Sequence, residues 1–363
     1  MAVSPRETKV GLWQCWRGVV CASLLFAASF CLPALAQEPR FFRIGTAATG
    51  GSFFEVGGIV ASAISGPAGG PSCERGGSCG VPGLVAVAQA TPGSVENLRM
   101  INSGQLESGL AQADLAWWAY KGVRIFAEAG PQQRLRAIAS LFPEAAHLVV
   151  RTDSPIRSLA DLRGKTVSVG EAGSGSAADA EVILAAAGFG EGDVSVEHSR
   201  PGPAAEDLKN GWLDALFLVG GYPVPAIRDL AADTPIRLIP IEGNIVEALK
   251  KDFTFYTPTE IPAGTYPGVD DATPSVGFSA LWLANADVDA DLIYAITQSL
   301  WHPATAKLLA ALDPIGKRVR LERALDGISV PLHPGAARYY REAGLAVENA
   351  PEASAGAAEG RQQ

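Results

Sequence analysis

Two short loops of small residues constrain this chain more than any other feature. The first, Gly45–Ser52 (GTAATGGS), follows the apolar run Phe41, Phe42, Ile44. It precedes apolar residues at Phe53, Val56, Ile59, Val60 and Ile64, a helical spacing. The second, Glu171–Ser176 (EAGSGS), follows the β-branched run Thr166–Gly170 and opens an Ala-rich helix expected to reach Ala187. Each unit reads strand, loop, helix. Backbone N–H groups at the start of such a helix point at whatever lies above the loop, and the helix dipole favours an anion there. Either loop alone reads as an anion cradle or as a tight turn. One in each half of the chain points to a ligand clamped between two domains, where small-molecule sites often lie. The first loop has glycines at nearly the P-loop spacing, but Gly51 stands where the lysine should precede Ser52. Nucleotide hydrolysis would lack its phosphate clamp.

The order of elements supports an α/β class. After the first helix and a Gly/Pro-rich loop, Val81–Ala90 reads as a strand. Ser94–Ser103 reads as a helix, Leu110–Ala113 as a strand, and the segment from Asp114 as a helix. Leu135–Thr152 is a long extended passage interrupted by Pro143-Glu144. The second half repeats the alternation through Ile245–Lys251, and Thr257–Asp271 is rich in Pro, Gly and Thr. Ser275–Ala284 is a strand placed to return to the first half, and Asp287–Trp301 is an amphipathic helix. Crossings near 147–152 and 271–277 fit one discontinuous domain, 37–148 with 274–348, around a continuous one, 149–273. Such an arrangement permits hinge closure over a ligand.

The N-terminus reads as a leader, residues 1–36. Arg6, Lys9 and Arg17 precede the apolar run Gly18–Leu32, and Ala34-Leu35-Ala36 gives a small-x-small cleavage pattern. An uncleaved anchor is the competing reading, although the run is short for a membrane span. Cleavage would remove three basic residues and one acid, taking the net charge from −9 to −11. That balance argues against nucleic acid as a partner. It leaves room for a small anion held by local dipoles. Cys73 and Cys79 are the two cysteines beyond the leader. In an exported chain the pair reads as a disulfide, with a metal half-site as the alternative. The four histidines are scattered, which gives metal little support. The tail 349–363, rich in Ala, Gly and Glu, is expected to be disordered.

Six segments, in order, resemble the solute-binding proteins of TAXI-type TRAP transporters. They are IGTAATGGSFFEVGG (Ile44–Gly58), LAQADLAWWAYKG (Leu110–Gly122), PEAAHLVVR (Pro143–Arg151), SLADLRGKTVSVGEAGSGS (Ser158–Ser176), LVGGYPVPAI (Leu218–Ile227) and YPGVDDATPSVG (Tyr266–Gly277). The resemblance implies a type II periplasmic-binding fold: two α/β lobes joined by hinge crossings, with a ligand cleft between them. It also implies a periplasmic protein that delivers a small carboxylate or acidic amino acid, such as glutamate, to a membrane permease. A receptor presenting its ligand to a membrane sensor, and a secreted enzyme on the same scaffold, are the alternatives. No GxSxG elbow, zinc set or Cys/His couple is legible, which favours binding over catalysis, with no cofactor.

The expected ligand contacts follow from the two loops and the cleft edge. Thr46, Thr49, Gly50, Gly51, Ser52 and Phe53 come from the first unit, and Ser174, Gly175 and Ser176 from the second. Gln112 ends a strand at the cleft edge, and Gly221 and Tyr222 form a turn that could close over the ligand. Neutral hydroxyl and N–H donors can hold a carboxylate without arginine. Asp114 reads as a helix cap. One of Trp117 and Trp118 reads as core, and His147 as a structural histidine. Asp270 and Asp271 read as a solvated turn or a permease contact.

Overall fold

The computed structural model describes Met1 and residues 39–347, except 72, 253, 254 and 313. The expected leader beyond Met1 and the expected tail fall outside the described residues. The described residues from Pro39 onward form one unit.

A single large sheet organises it, with strand order β4-β1-β5-β12-β6-β9-β7-β8. On one flank β1 (Arg40–Gly45) lies between β4 (Leu84–Gln89) and β5 (Ser108–Gln112), all parallel. On the other flank β7 (Thr166–Ser168) lies between β8 (Ser195–Glu197) and β9 (Ala215–Gly220), again all parallel. Two long strands join the flanks, β6 (Leu135–Arg151) and β12 (Thr273–Asn285), antiparallel to each other and to their outer neighbours. At Ala145, β6 passes from its ladder with β12 to its ladder with β9. The short strands β10 (Ile236–Leu238) and β11 (Thr257–Ile261) pair with β6 and β12. This is the expected fold class: two α/β halves around shared central strands.

Each parallel strand delivers the chain to a helix. The pairs are β1 to α1 (Ser52–Ile64), β4 to α2 (Ser94–Ser103) and β5 to α3 (Ala113–Lys121). In the other half they are β7 to α4 (Gly175–Ala186), β8 to α5 (Pro201–Asn210) and β9 to α6 (Pro225–Asp233). Packing follows the apolar spacing: α1 buries Phe53, Val56, Val60, Ala63 and Ile64 on one stripe. Four further helices complete the unit: α7 (Asn244–Asp252), α8 (Ala290–Leu300), α9 (Pro303–Leu309) and α10 (Pro334–Glu342).

The apolar core is asymmetric. One cluster runs through both halves, from Leu98, Leu115 and Trp118 to Val167, Ala180 and Ile183, with Tyr256 and Phe278 among its members. Two further clusters stay separate. One gathers around Phe53, Trp282 and Tyr340, and the other around Leu208, Ile227 and Tyr266.

Local differences from expectation have local causes. The strand expected over 81–90 is two: β3 (Val81–Pro82) pairs with β2 (Ser65–Gly66) in a separate ladder, and Gly83 at positive φ then turns the chain into β4. Pro143 does not interrupt β6, because β6 and β12 pair on both sides of it. Within the Pro/Gly/Thr-rich passage, Thr257–Ile261 forms β11 on the edge of β12, a position that tolerates Pro258. No helix among the described residues is long and apolar enough to cross a membrane.

Candidate functional site

Parallel strands place the carboxyl ends of β1, β4 and β5, and those of β7, β8 and β9, toward the gap between the halves. Ligands in open α/β sheets bind at such strand ends. The gap is a cleft with about 560 Å³ of atom-free space, part of it open to solvent. All six helix starts contribute to its wall: Gly51 and Ser52 for α1, Gly93 and Ser94 for α2, and Gln112 for α3. Ser174 to Ser176 do so for α4, Pro201 for α5 and Val224 for α6. Five of these helices have no side-chain cap at their N-terminus; only Ser174 caps, accepting from the Ala177 N–H. The aligned dipoles make an anion-favouring wall, to which α6 brings no free N–H, since Pro225 has none and the Ala226 and Ile227 N–H groups donate to the Gly50 and Val224 carbonyls.

The halves touch directly around the cleft. The Gly221 N–H donates to Ser52 Oγ at 3.0 Å, and the Ala226 N–H donates to the Gly50 carbonyl at 3.1 Å. The Glu96 N–H donates to the Gly173 carbonyl at 3.2 Å, and Gln112 Nε2 donates to Asp179 Oδ2 at 3.0 Å. Gln112 is fixed a second time by the Ser94 hydroxyl, which donates to its Oε1 at 2.6 Å. Gly175 is required here, since a Cβ at this position would lie 1.5 Å from Gln112 Oε1.

Of the residues singled out from the sequence, Gly51, Ser52, Phe53, Gln112, Ser174, Gly175 and Ser176 line the cleft. The remaining five do not contribute to its wall. Thr46 is buried behind the loop, its hydroxyl donating to the Gln89 carbonyl at 2.9 Å. Thr49 is exposed, and Gly50 is committed through its carbonyl to Ala226. Gly221 packs on Phe142 beside the wall. Tyr222 lies under the Arg318 guanidinium, 4.1 Å from its ring centroid. Ser52 and Ser174 each accept one backbone N–H, which leaves their own O–H groups to donate into the cleft.

Among the described residues no lysine or arginine lines the cleft, and two acids do, Glu144 and Glu171. Glu171 meets Arg200 at 3.3 Å. Glu144 is buried, and its Oε2 has no hydrogen-bond partner among the described residues. Two more buried acids lie close by, Asp114 at the start of α3 and Asp179 on α4. Burial raises all three carboxyls above their ordinary range; Asp114 adds to the rise at Glu144, and Asp114 and Glu144 add to it at Asp179. Tyr256 completes the group, its phenol pushed up by burial and by the charges of Asp114 and Asp179.

Glu144 and Asp179 were not anticipated from the sequence. The available signal was a lone acid inside the long apolar passage 135–152 and another inside an Ala-rich helix, since a buried charge is costly unless compensated. Asp114 is not the expected cap: Gln112 holds the N-cap position, Asp114 is buried as the second residue of α3, and its carboxyl belongs to this acid group. Trp118 is core, Trp117 packs against Phe255 at 5.6 Å, and Asp270 and Asp271 are exposed. His147 is structural: Nδ1 donates to the Ala145 carbonyl, and Nε2 accepts from the Tyr266 hydroxyl, both at 2.9 Å. Cys73 and Cys79 are joined in a disulfide. Among the described residues they and His302 are the one convergence of metal-type side chains, and there both sulfurs are spent.

A match to the NMT1-like family model extends over residues 44–344. The chain belongs to the NMT1-like family. Among solved structures, it is similar to an ABC uptake transporter substrate-binding protein from Streptococcus pneumoniae with bound histidine. The identity there is 15%, covering 77% of this chain and 94% of that one at a TM-score of 0.45. It is also similar to the alkanesulfonate-binding protein SsuA from Xanthomonas axonopodis pv. citri bound to MOPS, at 18% identity, 79% and 85% coverage and a TM-score of 0.43. These likenesses are remote.

Proposed function

We infer that this NMT1-like protein is an extracytoplasmic solute-binding subunit that captures a small organic anion, a carboxylate or an acidic amino acid, in the cleft between its lobes. The observation that carries this reading is the convergence of six helix N-termini, five of them uncapped, on one gap between two halves. Neutral donors of this kind hold an anion reversibly and release it unchanged.

The finer assignment is to a TAXI-type TRAP transporter, with a membrane permease as the partner and the periplasm as the location. It rests on the six segments quoted above. The lobes are taken as 37–148 with 274–348 and as 149–273, hinged where β6 and β12 cross. Native mass spectrometry of the purified protein tests the reading by identifying any co-purified solute. Fluorimetry with succinate, 2-oxoglutarate and L-glutamate tests it in parallel. A bound carboxylate and a raised unfolding temperature are expected. A chain that neither carries nor is stabilised by any carboxylate would overturn the reading. Turnover of a bound compound would move the protein to the enzymes.

A further inference from the structure

Glu144 sits where β6 changes partners: it pairs with Phe278 of β12, and its neighbour Ala145 pairs with Gly220 of β9. Its side chain reaches the cleft wall, is only 1% exposed, and carries a partnerless Oε2. The charged and titratable groups that face it come from several elements. Asp114 starts α3 and Asp179 lies on α4, and the Tyr256 phenol interacts with both, with Arg124 acting on Tyr256. Glu171, paired with Arg200, lines the same cleft. The Gly221 N–H, whose hydrogen bond goes to Ser52 Oγ, lies near Glu144 and opposes part of the rise.

An anion-favouring wall and a carboxylate side chain make contradictory demands on one ligand. An ionised Glu144 would repel the carboxylate that the helix N-termini attract. A protonated Glu144 removes the conflict and adds an O–H donor at Oε2, a buried atom with no hydrogen-bond partner among the described residues. We propose that Glu144 is a specificity-determining residue that meets a ligand carboxylate as a neutral acid, donating its O–H, so that capture needs one proton on this side chain. The proposal rests on the carboxylate reading of the cleft. The proton is the acid's own below its raised pKa and comes from water above it, so binding at high pH takes up a proton. Burial beside Asp114 keeps the group neutral well above the ordinary carboxylate range.

The test is calorimetry with succinate, 2-oxoglutarate and L-glutamate between pH 6 and pH 9, in buffers of differing ionisation enthalpy. Wild-type affinity is expected to fall by up to about tenfold per pH unit above the pKa of Glu144, with proton uptake. Glu144→Gln fixes a donor of the same shape. It should remove the part of that decline belonging to Glu144 and bind more tightly than wild type at pH 9. Glu144→Leu lacks the donor and should bind about tenfold more weakly at pH 6. Loss of L-glutamate binding in Glu144→Gln, with 2-oxoglutarate unaffected, would overturn the proposal and make the side chain an ammonium partner. Infrared spectra of the ligand-free protein give a ligand-independent arm. A protonated-carboxyl band at neutral pH that Glu144→Gln removes is expected, and its absence overturns this proposal alone. Failure of all three probes with the band present would overturn the carboxylate reading and the ligand contact with it, while showing the acid neutral.

Discussion

Gly175→Ala gives a direct test of whether the contact between the halves matters for capture. The added Cβ would lie 1.5 Å from Gln112 Oε1, 2.5 Å from its Cδ and 2.7 Å from Ser94 Oγ. Gln112 cannot yield freely, because its amide is held by Ser94 on its own side and by Asp179 on the other. Moving it forfeits two buried hydrogen bonds at about 1 kcal/mol each, so the closed arrangement loses about 2 kcal/mol. Parting the halves carries the methyl away from Gln112 and relieves the clash, so the penalty falls on closure rather than on folding. If the ligand is held only in the closed arrangement, its affinity should fall about 30-fold. Calorimetry with whichever of succinate, 2-oxoglutarate and L-glutamate binds wild type reads this number. Small-angle scattering should show the variant remaining more expanded at a ligand concentration that compacts wild type. Thermal unfolding without ligand should change little. An affinity within twofold of wild type, with the same compaction, would refute the argument.

Three further outcomes are expected. Asp179→Asn should melt several degrees above wild type at pH 9, with the gap closing toward pH 5. A carboxyl raised on folding contributes stability below its ordinary range and loses it as pH rises through the raised value, and an amide cannot ionise. A gap independent of pH would count against this. His147 works with the opposite sign. Burial lowers it from 6.5 to about 4, worth about 3 kcal/mol of stability, present above pH 6.5 and lost as pH falls toward 4. Its ring resonances by NMR should stay neutral down to about that value, and a midpoint near 6.5 would show that the ring is not buried as described. Non-reducing peptide mapping should recover Cys73 and Cys79 as one linked peptide, and replacing both with Ser should cost at most about 2 kcal/mol in urea unfolding.

What was legible in the sequence was local. Small-residue loops between a strand and a helix announce themselves over ten residues, and both GTAATGGS and EAGSGS lie at the cleft. The long passages that became β6 and β12 were legible as extended runs, and the sheet places both between its two parallel flanks. The acid group was not legible, because its members come from α3, β6 and α4, far apart in sequence, and each has an ordinary local explanation. Asp114 looks like a cap, Glu144 follows a proline, and Asp179 interrupts an alanine-rich helix. Tyr222 illustrates the reverse error of scale. A tyrosine after two glycines invites a lid, but Arg318, from a segment nearly a hundred residues later, covers its ring instead. Likewise Thr46 had a free hydroxyl on paper, and the parallel register of β1 with β4 brings the Gln89 carbonyl within its reach.

The pairing of β6 with β12 has a mechanical consequence. Two antiparallel strands side by side make a ribbon that resists stretching and sliding, because any slip breaks a run of ladder bonds, but that twists at low cost. Bodies mounted at the two ends of such a ribbon keep their spacing and change mainly their mutual angle. On the proposed function, occupancy of the cleft would be converted into one number, an angle, and a membrane partner touching both flanks could distinguish loaded from empty protein without meeting the solute.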